Sequence, residues 1–285
     1  MANRPFRVGI MCGEPPSIAA TFLERHAARL RRAGAEVPVI VLDQEEDRAE
    51  APFRHLWRLG RRQARIAGTF ALFGVLRLVV YRTVMGMGMR GAPGAGEGGP
   101  LPETVRVVRT RTLNAPAAAA AIREEGCDLV CLMGARILTR KTLQAIGVPI
   151  VNIHSSDPRW VRGGPVVVWE VLDDRPEIVL VVHEVVEELD AGAILAEDSQ
   201  PLLYRSGLRA TTDATMGAAR PRVADLFATV ILDFQAGTLK RTPFAAGQLR
   251  VTPKIRETLR ADLLCRLRSR RRRYEREPEP PPAPA

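Results

Sequence analysis

Short, nearly continuous apolar runs alternate with amphipathic segments along this chain, and this alternation restricts its fold more than any other feature. Residues 6–12 (FRVGIMC) and 37–43 (VPVIVLD) have the length and composition of buried strands. Residues 17–33 between them have the spacing of an amphipathic helix. Continuous apolar strands separated by helices are typical of a parallel sheet with helical cover. The sequence therefore predicts an α/β fold with an open, mostly parallel twisted sheet and helices on both faces.

The alternation is interrupted once and then resumes. Residues 53–102 are predicted to form a helical insertion followed by a Gly-rich loop. Further strands are predicted at 105–110, 128–134 and 148–154 and twice within 177–202, and further helices at 115–126, 139–147, 164–174 and near 213–236. We expect a main domain over 1–203, a small C-terminal appendage over 204–265, and a basic, then Pro-rich, disordered tail over 266–285.

The charge and the apolar segments limit the kinds of partner. A net charge of +10 favours an anionic partner such as nucleic acid, a membrane surface or a phosphorylated metabolite. The longest uncharged run of the insertion, residues 66–76, is too short to span a bilayer. A helix packed on the body of the protein is favoured there over a membrane-surface or partner-binding helix.

The cysteines and the N-terminal residues indicate the compartment. Cys127 and Cys131 are four positions apart, but no second Cys/His pair completes a zinc site, so we expect reduced thiols and no metal. Residues 1–16 lack the apolar core and small-residue cleavage site of a secretory signal. We expect a cytoplasmic protein.

Two polar side chains end an apolar run at a position where ligands bind in this kind of sheet. In residues 148–154 (VPIVNIH), Asn152 and His154 are two positions apart and therefore point to the same face of a strand. The carboxyl edge of a parallel sheet is the usual binding edge. If these two residues stood alone, an Asn–His pair that caps a loop would be the better explanation.

A second candidate lies between two apolar runs. Residues 187–190 (EELD) precede Ala191 and Gly192 within the stretch 181–195. By itself this pattern indicates a hairpin turn, because Asp and Gly are common turn residues.

The ordered combination of these features resembles the formyltransferase family that uses 10-formyltetrahydrofolate. The family motif is present as GARIL (134–138), Asn152-Ile153-His154, Arg162-Gly163, Trp169, His183 and Asp190-Ala191-Gly192. The resemblance covers about residues 103–200. Two departures concern the loop after His154, where the family's proline is displaced, and residues 175–177 (RPE), which replace a Thr-Gly.

The resemblance implies a Rossmann-like formyltransferase fold, in which 1–203 is the catalytic domain, and a set of site residues. Asn152, His154 and Asp190 would be catalytic. The amide of Asn152 and a protonated His154 would donate to the formyl oxygen, while Asp190 would raise the imidazole pKa. The pterin ring of the formyl donor would bind the backbone around Arg136, Ile137 and Leu138 and the loop of Val186, Glu187, Glu188, Leu189 and Asp190. No metal is implied, and His183 is interpreted as a structural strand residue.

The acceptor is expected to be a small primary amine, either an amino sugar on a nucleotide or a specialised metabolite. The loop 12–17 (CGEPPS) has one Gly and two prolines, which disfavours the phosphate cradle that glycinamide ribonucleotide needs. Too few residues follow Pro201 for the second domain of a methionyl-tRNA enzyme, so tRNA is disfavoured. A 10-formyltetrahydrofolate hydrolase, a methionyl-tRNA formyltransferase-like enzyme and a non-catalytic RNA- or membrane-associated protein remain alternatives, and a homodimer is compatible with the sequence.

Overall fold

The structure is a computed structural model that describes residues 4–44, 57, 61, 71–85, 100–250 and 252–274. Its strands are β1 (Phe6–Gly13), β2 (Ala35–Asp43), β3 (Arg106–Thr110), β4 (Leu129–Met133), β5 (Ile150–His154), β6 (Val161–Gly163), β7 (Glu177–Glu184), β8 (Ile194–Pro201) and β9 (Gln248–Arg250). Its helices are α1 (Ser17–Arg32), α2 (Ala71–Val84), α3 (Pro116–Glu124), α4 (Arg140–Ile146), α5 (Val166–Leu172), α6 (Leu208–Ala236) and α7 (Ile255–Tyr274).

One seven-stranded sheet organises the molecule, in the order β3-β2-β1-β4-β5-β7-β8. The first five strands of this order are parallel, whereas β7 and β8 run antiparallel to their neighbours. The predicted α/β fold with an open, mostly parallel sheet is confirmed. A separate parallel pair, β6 with β9, lies outside the main sheet.

The two faces of the sheet bury two separate apolar clusters, which explains the continuous apolar strands. Successive residues of β1 alternate between them, because Ile10 faces one cluster and Met11 faces the other. Helices α1 and α6 cover the first face, where the rings of Phe22 and Phe227 meet edge to face at 6.5 Å. Helix α3 covers the second face with Ala118, Ala121 and other small residues. All four cysteines are buried free thiols.

The C-terminal residues differ from the sequence expectation in two respects. Helix α6 begins at Leu208, earlier than predicted, and packs against α1 and against β7 and β8, so it shares the main core. Residues 266–274, predicted to belong to a disordered tail, instead continue helix α7. The division at 203/204 stays a prediction, and residues 275–285 lie outside the described part.

Part of the predicted insertion is also described. Helix α2 packs against α7, as expected for a helix held on the body of the protein. Most of 53–70 and all of 86–99 lie outside the described residues. Within the described ranges, no helix combines the length and the apolar character that crossing a bilayer requires.

Candidate active site

Strands β5 and β7 place two of the polar side chains next to each other. Asn152 and His183 are direct partners in the antiparallel ladder, and the Asn152 Nδ2 lies 3.3 Å from the His183 Nε2. The His183 Nδ1 lies 2.8 Å from the carbonyl oxygen of Glu184. A carbonyl only accepts, so the Nδ1 carries the proton and the Nε2 of the neutral ring accepts from the Asn152 amide. His183 therefore fixes which end of the Asn152 amide is the nitrogen.

The loop after β7 folds back and brings Asp190 to the two histidines. One carboxylate oxygen of Asp190 is 3.7 Å from the His154 Nδ1 and the other is 3.6 Å from the His183 Nε2. All three side chains are less than a tenth exposed. A Cβ at Gly192 would lie 2.0 Å from the carbonyl oxygen of Glu184, so only glycine permits this return of the chain. The structure thus brings Asn152, His154 and Asp190 into one site.

A backbone donor on the far side of the site holds Asp190. The Gly163 N–H, on β6, donates to Asp190 at 3.0 Å. Gly163 has φ +85°, and a Cβ there would approach the carbonyl oxygen of Arg250 to 2.6 Å, because β9 pairs closely with β6. The short pair β6–β9 therefore positions a direct partner of the carboxylate.

Arg162 links three segments around the same carboxylate. Its guanidinium donates to the carbonyl oxygens of Gly247 and Leu189, both at 3.0 Å, and to the Glu188 carboxylate at 2.6 Å. Gly247 precedes β9, and Leu189 precedes Asp190. A planar guanidinium can serve these three oxygens at once, which a lysine ammonium cannot do with the same geometry.

Burial determines the charge state of the two histidines. It lowers the pKa of His154, the nearby Asp190 partly opposes this effect, and His183 adds to it. Burial also lowers the pKa of His183. Both rings are therefore neutral at pH 7. Asp190 raises the pKa of His154, as expected, but the loss of hydration outweighs this attraction, so the expectation of a protonated His154 is wrong for the resting site.

The polar side chains open into a pocket of about 340 Å³. It is lined by Leu132, Gly134, Ala135, Arg136, Ile137, Leu138, Asn152, Ile153, His154, Gly163, Gly164, His183, Val185, Val186, Glu187, Leu189 and Asp190. Within the described residues the His154 Nε2 is buried and makes no hydrogen bond. A buried nitrogen without a partner is unusual in a folded protein, and a bound ligand could supply the missing partner.

Seven of the eight residues predicted to hold the donor line this pocket. Glu188 is the exception, since its carboxylate is about two-thirds exposed and pairs with Arg162. Glu187 forms an ion pair with Arg140 at 2.8 Å, and Arg136 lies 3.5 Å from the buried carboxylate of Asp43. The two walls of the pocket are thus held in place by ionic contacts beside it.

Two residues shape the site in ways that sequence reasoning did not assign, since Asn114 was not named and His183 was interpreted as structural. The first is Asn114, whose amide donates to the carbonyl oxygen of Ile137 at 3.0 Å and accepts from the Thr139 N–H at 2.7 Å. These two hydrogen bonds hold the pocket loop at Ile137 and Thr139, and no local sequence pattern near Asn114 predicts them. The second is His183, which lies in the pocket wall and contacts two site residues. Antiparallel pairing of its strand with β5 would have revealed it.

No group of three or more His, Cys, Asp or Glu side chains in the described part of the chain is arranged to hold a metal ion. The fold and the pocket together define an α/β protein with an Asn, a His and an Asp converging at one edge of its sheet.

Comparison with known proteins connects this arrangement to a family. Residues 78–218 match the family model described as formyl transferase, which confirms the sequence resemblance. Among curated proteins, no sequence matches this chain significantly.

Solved structures share the fold. Glycinamide ribonucleotide transformylase 1 from Symbiobacterium toebii superposes with a TM-score of 0.54 at 19% identity, over 85% of this chain and 96% of that one. A sugar N-formyltransferase from Shewanella sp. FDAARGOS_354 gives 0.53 at 13% identity, over 86% and 76%. Phosphoribosylglycinamide formyltransferase from Bacillus halodurans gives 0.50 at 16% identity, over 81% and 95%. At these identities the likeness concerns the fold.

Proposed function

We propose that this protein transfers a formyl group from 10-formyltetrahydrofolate to the primary amine of a small acceptor, either an amino sugar on a nucleotide or a specialised metabolite. The observation that carries the proposal is the convergence of Asn152, His154 and Asp190 on one pocket whose other walls are the loops 134–138 and 185–190. The three residues act as the catalytic group.

The pocket suits a folate. Its volume of about 340 Å³ falls in the range of small-molecule sites. Ile137 and Val186 are exposed apolar side chains on its two walls and can cover the faces of a flat ring. Backbone groups of the same two loops can bond the polar edge of that ring. When bound, the folate supplies the formyl carbon that the acceptor amine attacks.

Asn152 stabilises the charge that develops on the formyl oxygen. One of its amide hydrogens is engaged by His183, which leaves the other for the substrate. Because the donor is already oriented by a neutral ring, it needs no rearrangement when the negative charge appears, and this pre-orientation is what makes such donors effective.

His154 moves the proton. Neutral in the resting site, its imidazole can accept a proton from the attacking amine at the Nε2, which has no other partner among the described residues. The Asp190 carboxylate, 3.7 Å from the Nδ1, then stabilises the imidazolium until the proton passes to the departing nitrogen. Asp190 keeps this position because the Gly163 N–H holds it.

The loop between β1 and α1 supports a small-amine acceptor over glycinamide ribonucleotide. Pro15 and Pro16 stand at the start of α1 and offer no N–H groups to a phosphate. The Glu14 carboxylate lies 3.8 Å from the Arg109 guanidinium and would oppose an anion at this position. Proteins of both acceptor classes share the fold, so the loop, rather than the fold, supports this choice.

The test is turnover with 10-formyltetrahydrofolate and a panel of amines, including amino sugars on nucleotides, followed as tetrahydrofolate release by absorbance. We expect Asn152→Ala, His154→Ala and Asp190→Ala each to lower kcat/KM about a hundredfold or more. Glu24 is exposed on α1, so Glu24→Gln serves as the control and should leave turnover unchanged.

Three results would contradict the proposal. Unchanged turnover in any two of the three variants would exclude the catalytic assignment. Steady release of formate at a rate that no amine alters would identify a hydrolase with water as acceptor. RNA binding that survives Asn152→Ala, in a protein without formyl transfer, would favour a non-catalytic role.

A further inference from the structure

Helix α7 has an unusual outer face. Leu259, Leu263 and Leu267 recur every fourth residue, and each is more than half exposed. This spacing places the three leucines in one stripe along the helix. An exposed stripe of leucines on a helix of five turns requires an explanation, because single exposed leucines are common and ordered rows of them are not.

Arginines surround this stripe. Arg256, Arg260, Arg266 and Arg270 each stand three positions from one of the leucines and are exposed. No acidic side chain among the described residues pairs with Arg256, Arg260 or Arg270. The whole helix contains eight arginines and two acidic residues.

Both acidic residues of α7 are already engaged, and of the four arginines beside the stripe only Arg266 pairs with one of them. Glu257 accepts from the backbone N–H of Lys254 at 2.6 Å, at the start of the helix. Asp262 accepts from the backbone N–H of Leu208 at 2.8 Å and from Arg266 at 2.7 Å. The outward face therefore presents leucines and cations.

The opposite face fixes the helix flat on the body. Thr258, Ala261 and Cys265 are fully buried, and α7 packs against α2, α5 and α6. The exposed stripe is thus a rigid surface of the folded protein rather than the face of a free helix.

Helix α2, which packs against α7, has the same property. Leu72, Leu76 and Val79 follow each other at intervals of four and three residues, and all three are exposed. Two neighbouring helices therefore each carry an exposed apolar row, although both use their other residues for packing.

We propose that the outer face of α7, together with α2, is a docking surface for an anionic phospholipid bilayer. Leucines that enter the acyl boundary while arginines contact the headgroups are the pattern of helices that lie in the plane of a membrane. A second copy of this chain is disfavoured as the occupant, because two such faces would bring their arginines together. Nucleic acid would use the arginines but leave the leucines in water.

The proposal is tested by co-sedimentation of the full chain with phosphatidylcholine vesicles that contain or lack phosphatidylserine. We expect binding to the anionic vesicles at about 0.05 M salt and much weaker binding at about 0.5 M salt. The variant L259S/L263S/L267S should reduce partitioning about tenfold or more. The variant R256Q/R260Q should reduce it about twenty-five-fold at low salt, since one arginine near an anionic surface contributes roughly a factor of five.

The matched control removes the same charge elsewhere. Arg29 and Arg32 are exposed in the last turn of α1, and R29Q/R32Q should leave vesicle binding within about twofold of the unchanged protein. Circular dichroism of each variant checks the fold. If L259S/L263S/L267S unfolds, the comparison of R256Q/R260Q with the unchanged protein tests the proposal instead. Equal loss in the control, equal binding to neutral vesicles, no binding to any vesicle, or binding to single-stranded RNA alone would each overturn the proposal.

Discussion

Glu170 tests how the burial of an ionisable group changes the stability of the fold, because it is a carboxyl group in the core that the proposed chemistry does not use. Its side chain is 1% exposed, on α5, and it accepts a hydrogen bond from the Ser156 hydroxyl at 2.7 Å. Burial raises its pKa from 4.5 to about 7, although the Ser156 hydrogen bond and Arg175 oppose the rise.

The sign of the resulting pH dependence follows from linkage. A group whose pKa is higher in the folded protein than in the unfolded chain binds protons preferentially in the folded state between the two values. Stability from this group is therefore complete below about pH 4.5 and is lost as the pH rises through about 7. Each pH unit corresponds to about 1.4 kcal/mol, so ionisation of Glu170 costs about 3 kcal/mol of folding free energy at pH 8.

The substitution Glu170→Gln removes this cost. The glutamine carbonyl can accept the same Ser156 hydrogen bond, and the amide does not ionise. We expect the variant to be about as stable as the unchanged protein at pH 5 and about 3 kcal/mol more stable at pH 8, which for a chain of this size is a rise of roughly 6–12 °C in Tm. Only the difference between the two proteins matters, so other titrating groups cancel.

Urea unfolding at pH 5 and pH 8, followed by circular dichroism, measures the effect. Glu24→Gln, which removes a carboxylate from an exposed position, is the control and should show no such gain. If the difference between Glu170→Gln and the unchanged protein is the same at both pH values, the burial argument is refuted. Retained formyl transfer in Glu170→Gln would show that Ser156 and the loop after His154 keep their positions.

Three further outcomes are expected. Gly192→Ala should cost about 2 kcal/mol or more in urea unfolding, because its Cβ would lie 2.0 Å from the Glu184 carbonyl oxygen, and an unchanged midpoint would contradict the loop geometry. The acidic limb of the kcat/KM profile should lie below pH 6.5, since burial lowers the pKa of His154; a limb centred above 6.5 would mean that the ring is charged at rest. Arg162→Lys should lower kcat about tenfold or more through misplaced Asp190 while keeping the charge, and full activity would exclude a positioning role.

The sheet could be predicted from the sequence because its signals are local. The runs 6–12 and 37–43 are continuous and apolar, and the strands they predict are present with ends shifted by two residues or fewer. The same holds for 105–110 and 128–134, which became β3 and β4. The alternation of side chains along a strand was also sufficient to predict that Asn152 and His154 lie on the same side of β5.

The rest of the site depends on contacts between distant residues. Arg162 meets Gly247 across 85 positions, and no local pattern predicts that pairing. The net charge of His154 depends on how deeply the ring is buried, a quantity that the types of its neighbours along the chain do not give. Sequence reasoning weighed the carboxylate of Asp190 correctly in sign but had no measure of the lost hydration that outweighs it.

The pairing of β6 with β9 has a consequence for how the site depends on the rest of the fold. The amide that steadies Asp190 lies on β6, and the partner strand of β6 ends at Arg250, far along the chain from the carboxylate. This pair forms a sheet of its own, separate from the seven-stranded sheet. A change that disturbed only the small pair would therefore displace the carboxylate while the main sheet stayed assembled.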